Sequence, residues 1–90
     1  MKLKYQFETM QLDDQVVAVP VGGDTARLQG VIKMNGSAAE IFQMLVQDTS
    51  EAEIVASLMK EYKDSSAEEI QEYVRSFLSI LSEKDILENT

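Results

Sequence analysis

The first third of the chain alternates polar and apolar positions with the period of β-strands. In KYQFE (residues 4–8), Tyr5 and Phe7 alternate with polar neighbours, which is typical of a half-buried strand. QVVAVPV (15–21) is a β-branched run that predicts a second strand, and ARLQGVIKM (26–34) predicts a third. Asp13-Asp14 and Gly22-Gly23 supply turns between them. We therefore predict an antiparallel meander of three short strands.

The rest of the chain changes to the helical period. Three apolar stripes recur at helical spacing: Ala38, Ile41, Phe42 and Leu45; Ile54, Val55, Leu58, Met59 and Tyr62; Ile70, Tyr73, Val74, Phe77, Leu78 and Leu81. Serine followed three residues later by glutamate indicates a capping box before each helix, at Ser37, Ser50 and Ser66, with Asn35 as an alternative cap for the first. Ile86 and Leu87 are expected to pack back on the core.

The order of these elements predicts the fold class. A three-stranded antiparallel β meander followed by three α-helices is an α+β fold that resembles a winged helix-turn-helix, formed by one domain over residues 1–90. Winged helices often bind DNA, so a DNA-binding transcription regulator is one functional hypothesis.

The charge distribution counts against DNA. Residues 1–35 carry no net charge, so the net charge of −8 lies entirely on residues 36–90. The third predicted helix, which would enter the groove, has five acids between Glu68 and Asp85 against Arg75 and Lys84. DNA binding requires neutralisation of phosphates by Lys and Arg. The acidic surface is therefore interpreted either as a solvated face or as one that attracts a cationic partner.

The composition offers little for catalysis. The chain has no cysteine and no histidine, which removes thiolate chemistry, the usual general base and the commonest metal ligands. Gly22-Gly23 lacks the lysine and the following helix of a phosphate loop, and Asp13-Asp14 lacks a calcium-site spacing. We predict no enzyme activity, no cofactor and no metal. No apolar run has the length of a membrane span and no secretory signal is evident, so we expect a cytoplasmic protein that does not bind membranes.

The third strand suggests a different function. An edge strand can accept an extended peptide as an added strand, and neighbouring side-chain pockets then give specificity. The same edge could equally be covered within the chain or paired in a homodimer. The pattern alone leaves these possibilities open.

Several segments together resemble the PqqD-like family, named after the pyrroloquinoline quinone synthesis protein D. They are GVIKMNGSAAEIFQML (30–45), TSEAEIVASLMKEY (49–62) and SAEEIQEYVRSFLSILSEKDILE (66–88). The shared features are a strand ending in Met-Asn before the first helix, the bulky pair Ile41-Phe42, a Glu-Ile-Val helix ending at Tyr62, and a long amphipathic last helix. The resemblance covers about residues 4–88.

The resemblance implies a non-catalytic peptide-recognition domain. In this family the domain binds the leader segment of a ribosomally made precursor peptide and delivers it to a modifying enzyme, often a radical S-adenosylmethionine enzyme. The leader lies as an added strand beside the third strand, in a groove closed by the third helix. The residues that the resemblance assigns to this site are Leu28, Gln29, Gly30, Val31, Ile32 and Lys33 on the strand, and Tyr73, Phe77 and Ile80 on the helix.

Three features leave questions for the structure. The helical pattern places Tyr73 and Phe77 in the core, whereas the resemblance places them in the groove. Asp85 stands where family members commonly have glycine after the last helix, and an L-residue adopts the left-handed conformation less readily. Pro20 cannot donate a ladder hydrogen bond, so it should lie at the edge or exit of the second strand.

Overall fold

A computed structural model of the chain describes residues 1–21 and 31–88. Its elements, in chain order, are β1 (Lys2–Leu3), β2 (Gln6–Leu12), β3 (Gln15–Val21), β4 (Ile32–Met34), α1 (Gly36–Met44), α2 (Glu51–Glu61), α3 (Ala67–Glu83) and β5 (Leu87–Glu88). The antiparallel sheet β2-β3-β4 followed by three helices confirms the predicted α+β architecture. The predicted Gly22-Gly23 turn and the start of the predicted third strand lie outside the described residues.

The β2–β3 hairpin is longer than the first predicted strand. Leu12 pairs with Gln15, so Asp13 and Asp14 form a two-residue loop as predicted. Asp13 has φ 55°, and positive φ at the first loop position is characteristic of the primed turns of tight hairpins. The sequence pattern predicted a strand only as far as Glu8. Beyond Glu8 both faces of β2 are exposed, so apolar and polar residues do not alternate there and the pattern gives no signal.

Pro20 lies next to the last residue of β3 and is paired with Phe7 of β2. The β4 strand pairs with β3 only over residues 16–18, so the ladder described on that side does not reach the proline. This agrees with the predicted position at the exit of the strand, where the missing N–H interrupts little.

Serine and asparagine side chains begin the helices. The Ser50 Oγ accepts from the Glu53 N–H at 3.2 Å and the Ser66 Oγ from the Glu69 N–H at 3.1 Å, which confirms these two predicted N-caps. The box predicted at Ser37 is wrong. The alternative cap, Asn35, begins α1, because its side-chain oxygen accepts from the Ala38 N–H at 2.9 Å, two residues before the cap expected at Ser37.

The core lies between the sheet and the helices. The ring of Phe42 on α1 contacts Phe7 on β2 edge to face, with centroids 5.2 Å apart. Phe42 is almost fully buried, and burial of such a side chain contributes roughly 1.5–3 kcal/mol. The remaining core comes mainly from the predicted helical stripes, including Ile41, Leu45, Ile54, Leu58, Ile70, Val74, Phe77, Leu78 and Leu81.

Both ends of the described chain meet in a second, two-stranded sheet. Lys2 of β1 pairs with Glu88 of β5, and Leu3 pairs with Leu87. The prediction that Ile86 and Leu87 pack on the core is confirmed, since both are buried. The pairing itself was not predicted, because strands of two residues carry no periodicity.

The turn after α3 forms a Schellman motif, in which the last turn of the helix is closed by two backbone bonds. The Ile86 N–H donates to the Leu81 carbonyl at 3.2 Å, and the Asp85 N–H to the Ser82 carbonyl at 3.0 Å. Asp85 adopts the left-handed conformation with φ 57°. Its carboxylate accepts a hydrogen bond from the Lys4 ammonium at 2.5 Å. Asp85 therefore adopts the left-handed conformation that is typical of glycine. In addition, its carboxylate forms an ion pair with Lys4, between β1 and β2.

Candidate functional site

The β4 strand lies at one side of the described sheet. Its three residues pair with β3 in the register Ile32 to Ala18, Lys33 to Val17 and Met34 to Val16. Within the described residues β4 has no strand on its other side. Successive strand residues direct their backbone N–H and C=O groups to opposite edges, so this side offers a donor and an acceptor for an added strand.

The predicted strand residues are described only in part. Leu28, Gln29 and Gly30 lie outside the described residues. Val31, the first of the predicted strand residues that the structure describes, is 46% exposed and precedes β4, so it lies outside the described ladder. Ile32 is half-buried and packs on the core, whereas Lys33 is exposed.

The three predicted helix residues are separated by burial. Phe77 is 8% exposed and belongs to the core. Tyr73 and Ile80 are 38% and 47% exposed, which corrects the expectation from the helical pattern that Tyr73 is a core residue. The exposed flank of α3 therefore presents the apolar parts of Tyr73 and Ile80, with Phe77 beneath the surface.

A shared acceptor joins α3 to the end of β4. The Oδ1 atom of Asn35, the residue directly after β4, accepts from the Ala38 N–H at 2.9 Å and from the Tyr73 hydroxyl at 2.9 Å. Asn35 therefore caps α1 and holds the tyrosine of α3 beside the strand. The sequence predicted the cap but not the bond to Tyr73, because the two residues are far apart in the chain.

A cavity of about 250 Å³ opens beside Tyr73. We call it the tyrosine cavity, and its lining residues are Ser37, Leu58, Tyr62, Ser65, Glu69, Ile70 and Tyr73. Sequence reasoning missed it, because its walls come from the start of α1, the end of α2 and the start of α3. Tyr62 was recognised as part of a helical stripe and of the family resemblance, and Tyr73 also as a residue of the peptide groove, but neither was predicted to line a cavity.

A hydroxyl chain crosses one side of the tyrosine cavity. The Ser37 hydroxyl lies 3.4 Å from the Tyr62 hydroxyl, which in turn donates to a carboxylate oxygen of Glu40 at 3.2 Å. Ser37 does not cap α1 as predicted. Its hydroxyl is instead the first group of a hydrogen-bonded chain that ends on the Glu40 carboxylate.

Glu40 and Glu61 form a second polar feature. Both line a groove of about 560 Å³ between the β2–β3 hairpin and helices α1 and α2. A hydrogen bond to Glu40 raises the pKa of Glu61 above its usual range, with smaller contributions from desolvation and from charge repulsion. Carboxyl pairs that share a proton are common in acid–base sites. As to metal binding, no group of three potential ligands occurs among residues 1–21 and 31–88.

The family of the chain is decided by a sequence comparison. The family model described as "Coenzyme PQQ synthesis protein D (PqqD)" matches residues 13–87. The chain belongs to the PqqD family. The family predicted from the segments around Met34-Asn35, Tyr62 and the last helix is thereby confirmed. Comparison with curated proteins gives no match.

The fold of this PqqD-family chain has a counterpart among solved structures. A structure described as "TbiB1 in Complex with the TbiA(beta) Leader Peptide" matches it with a TM-score of 0.75 and 23% sequence identity. The match covers 100% of this chain and 98% of the other. The likeness therefore concerns the whole arrangement of sheet and helices. In the described part of this chain, no helix has both the length and the apolar character needed to cross a membrane.

Proposed function

We propose that this chain is a non-catalytic adaptor that binds the leader segment of a ribosomally synthesised precursor peptide and presents it to a modifying enzyme. Membership of the PqqD family supports this function, and a protein of the same fold is described in complex with a leader peptide. The observation that carries the proposal is the side of β4 without a described partner, together with the bond that joins Asn35, directly after β4, to Tyr73 on the exposed flank of α3.

In the proposed complex the peptide extends the sheet beside Ile32–Met34. Backbone hydrogen bonds supply affinity that depends little on sequence, and alternate peptide side chains contact the protein. Val31, Tyr73 and Ile80 are the exposed apolar groups available to them, while Phe77 supports this surface from the core. Because the helices already hold β4 extended, little of its conformational entropy remains to be lost on binding.

The modifying enzyme is proposed as a second partner, a radical S-adenosylmethionine enzyme in keeping with the family resemblance. The net charge of −8 favours a basic docking surface on that enzyme, since electrostatic attraction accelerates encounter. The same charge disfavours the alternative of DNA binding, because Glu68, Glu69, Glu72 and Glu83 of α3 are exposed and repel phosphate.

The site can be tested by NMR. Isotope-labelled domain is titrated with synthetic leader segments of short precursor genes found beside its own gene. We expect the largest backbone shifts at Val31–Met34 and along the exposed flank of α3. Shifts confined to the β2–β3 hairpin or to α2 would place the binding surface elsewhere and refute the site.

A matched pair of substitutions separates the site from the rest of the surface. Ile80→Asp and Met59→Asp each place a carboxylate on an exposed helical position, since the two side chains are 47% and 42% exposed. Burying a charge against an apolar peptide side chain costs several-fold or more in affinity. We expect Ile80→Asp to weaken leader binding at least tenfold and Met59→Asp to leave it unchanged. Equal effects would indicate a general loss through added negative charge.

Strand addition itself has a separate signature. Successive amides of an extended peptide face opposite edges, so only every second amide can bond to β4. N-methylation of the leader, one amide at a time, should reduce affinity at alternate positions. A uniform or irregular pattern would show that the peptide binds in another conformation.

A further inference from the structure

The tyrosine cavity has a lining that suits one class of side chain. Its buried part consists of Leu58 and Ile70, and the rings of Tyr62 and Tyr73 stand beside them. The lining residues with polar side chains carry hydroxyl groups, except Glu69, which carries a carboxylate. No lysine or arginine is among its described lining residues. An apolar interior with acceptor groups and negative charge at its rim is complementary to a long cationic side chain.

The carboxylate of Glu69 is held by one hydrogen bond and can accept others. One of its oxygens, Oε1, accepts from the Ser66 hydroxyl at 3.2 Å, within the N-cap of α3. A carboxylate accepts about four hydrogen bonds, so capacity remains for a ligand. The chain from Ser37 through Tyr62 to Glu40 brings a second carboxylate into contact with the cavity wall. Glu69 is therefore the carboxylate that lines the cavity, and Glu40 stands behind the Tyr62 hydroxyl.

Tyr73 belongs both to the cavity and to the proposed peptide site. The ring of Tyr73 forms part of the cavity wall, and its hydroxyl is bonded to Asn35, the residue that follows β4. A peptide that lies along β4 and continues past Met34 therefore approaches Tyr73, which is one wall of the cavity.

We propose that the tyrosine cavity binds an arginine or lysine side chain of the bound peptide, with the methylene stem against Leu58 and Ile70 and the cationic head at Glu69. This inference rests on the proposed peptide-binding function, and it names the residue class that the leader must carry at one position. Arginine is the better fit, since its planar group stacks on tyrosine rings and bonds a carboxylate with two donors. Glu69 thus becomes a residue that sets specificity.

A small probe tests the cavity without strand addition. The full chain is titrated with N-acetyl-arginine methylamide, with the citrulline analogue as a neutral control of the same shape, and with the leucine analogue. A blocked single amino acid is too short to extend the sheet, so its binding reports on the cavity alone. We expect arginine to shift the amides of Ser65, Glu69 and Ile70 and to bind about tenfold more tightly than citrulline, as expected for one charge-assisted hydrogen bond.

Two glutamates of the same helical turn provide the matched variants. Glu69→Gln retains the side-chain shape and the cap but removes the charge, whereas Glu68→Gln removes a charge from an exposed position outside the cavity. We expect Glu69→Gln to weaken the arginine probe about tenfold and Glu68→Gln to leave it unchanged. Equal loss in both variants would mean that the net negative charge attracts the probe, and would overturn the proposal.

A second experiment, with peptides, distinguishes failure of this inference from failure of the proposed function. Random dodecapeptides displayed on phage are selected on the full chain and on Glu69→Gln. A basic residue at a fixed place in the wild-type consensus, lost in the variant, supports the proposal. Peptides that bind at β4 with no such residue, or tighter binding of the leucine probe than of arginine, would overturn it and leave the adaptor function standing. Arginine binding in the cavity without any selected peptide would instead count against the adaptor function.

Discussion

Asn35 and Tyr73 provide the sharpest test of how the site is held together. One atom, Asn35 Oδ1, accepts from both the Ala38 N–H and the Tyr73 hydroxyl. Asn35→Ala removes the cap of α1 and the bond to α3 together, whereas Tyr73→Phe removes only the bond. The two substitutions should therefore be coupled, because each deletes the same hydrogen bond.

The magnitudes follow from the two contacts. Loss of a side-chain N-cap costs about 1 kcal/mol, and a neutral hydrogen bond contributes about 0.5–1 kcal/mol. We expect Asn35→Ala to lower the free energy of unfolding by about 1.5–2 kcal/mol and Tyr73→Phe by about 0.5–1 kcal/mol. For a domain of this size, each kcal/mol lowers Tm by about 4–8 °C, so Asn35→Ala should lower it by roughly 6–16 °C.

The assay is a double-mutant cycle. Urea unfolding of the wild type, both single variants and the double variant is followed by circular dichroism. In the Asn35→Ala background, Tyr73→Phe should cost nothing within about 0.3 kcal/mol. Asn35→Asp keeps the acceptor oxygen and should remain close to the wild type. Additive effects in the cycle would refute the shared acceptor and with it the described link between α3 and β4.

Two further predictions concern a turn and a carboxyl pair. Asp85→Ala and Asp85→Gly both lose the ion pair with Lys4, but only glycine adopts positive φ freely. The glycine variant should therefore be more stable than the alanine variant by about 1 kcal/mol in urea unfolding. Equal unfolding midpoints of the two variants would contradict the left-handed turn. The pKa of Glu61 is raised in the native state above its ordinary value of 4.5, which applies in the unfolded chain. The native state therefore retains a proton that the unfolded chain loses as the pH rises above 4.5. The free energy of unfolding consequently falls as the pH rises from 4.5 through the raised pKa. Glu61→Gln should therefore raise Tm at neutral pH and leave it unchanged well below pH 4.5, and a gain of equal size at both would exclude Glu40 as the cause.

The sequence predicted the features that depend on local periodicity or on a local bond. The stripes of the three helices form most of the core, and Ser50 and Ser66 cap their helices because the capping bond spans only three residues. Asp13-Asp14 forms the predicted hairpin loop for the same reason. Each of these features is determined within a few neighbouring residues, where sequence patterns carry the information.

Features that join distant parts of the chain were not predicted. The helical stripe placed Phe77 in the core correctly, but the exposure of Tyr73 depends on how α3 packs against the rest of the fold, which a single stripe does not define. The tyrosine cavity requires Ser37, Tyr62 and Glu69 to meet across three helices. The Ser37 box failed because Asn35 offered a competing cap two residues earlier, and both matched the local pattern.

The pairing of Lys2 with Glu88 has a consequence for how the domain can be attached to other proteins. Because β1 and β5 are antiparallel, a segment joined before Lys2 and a segment joined after Glu88 leave the fold from the same place. A partner tethered at either position would therefore explore the same volume and reach the peptide with a similar effective concentration. A short linker between these positions should likewise permit circular permutation, with new ends opened in the exposed loop at Asp13-Asp14.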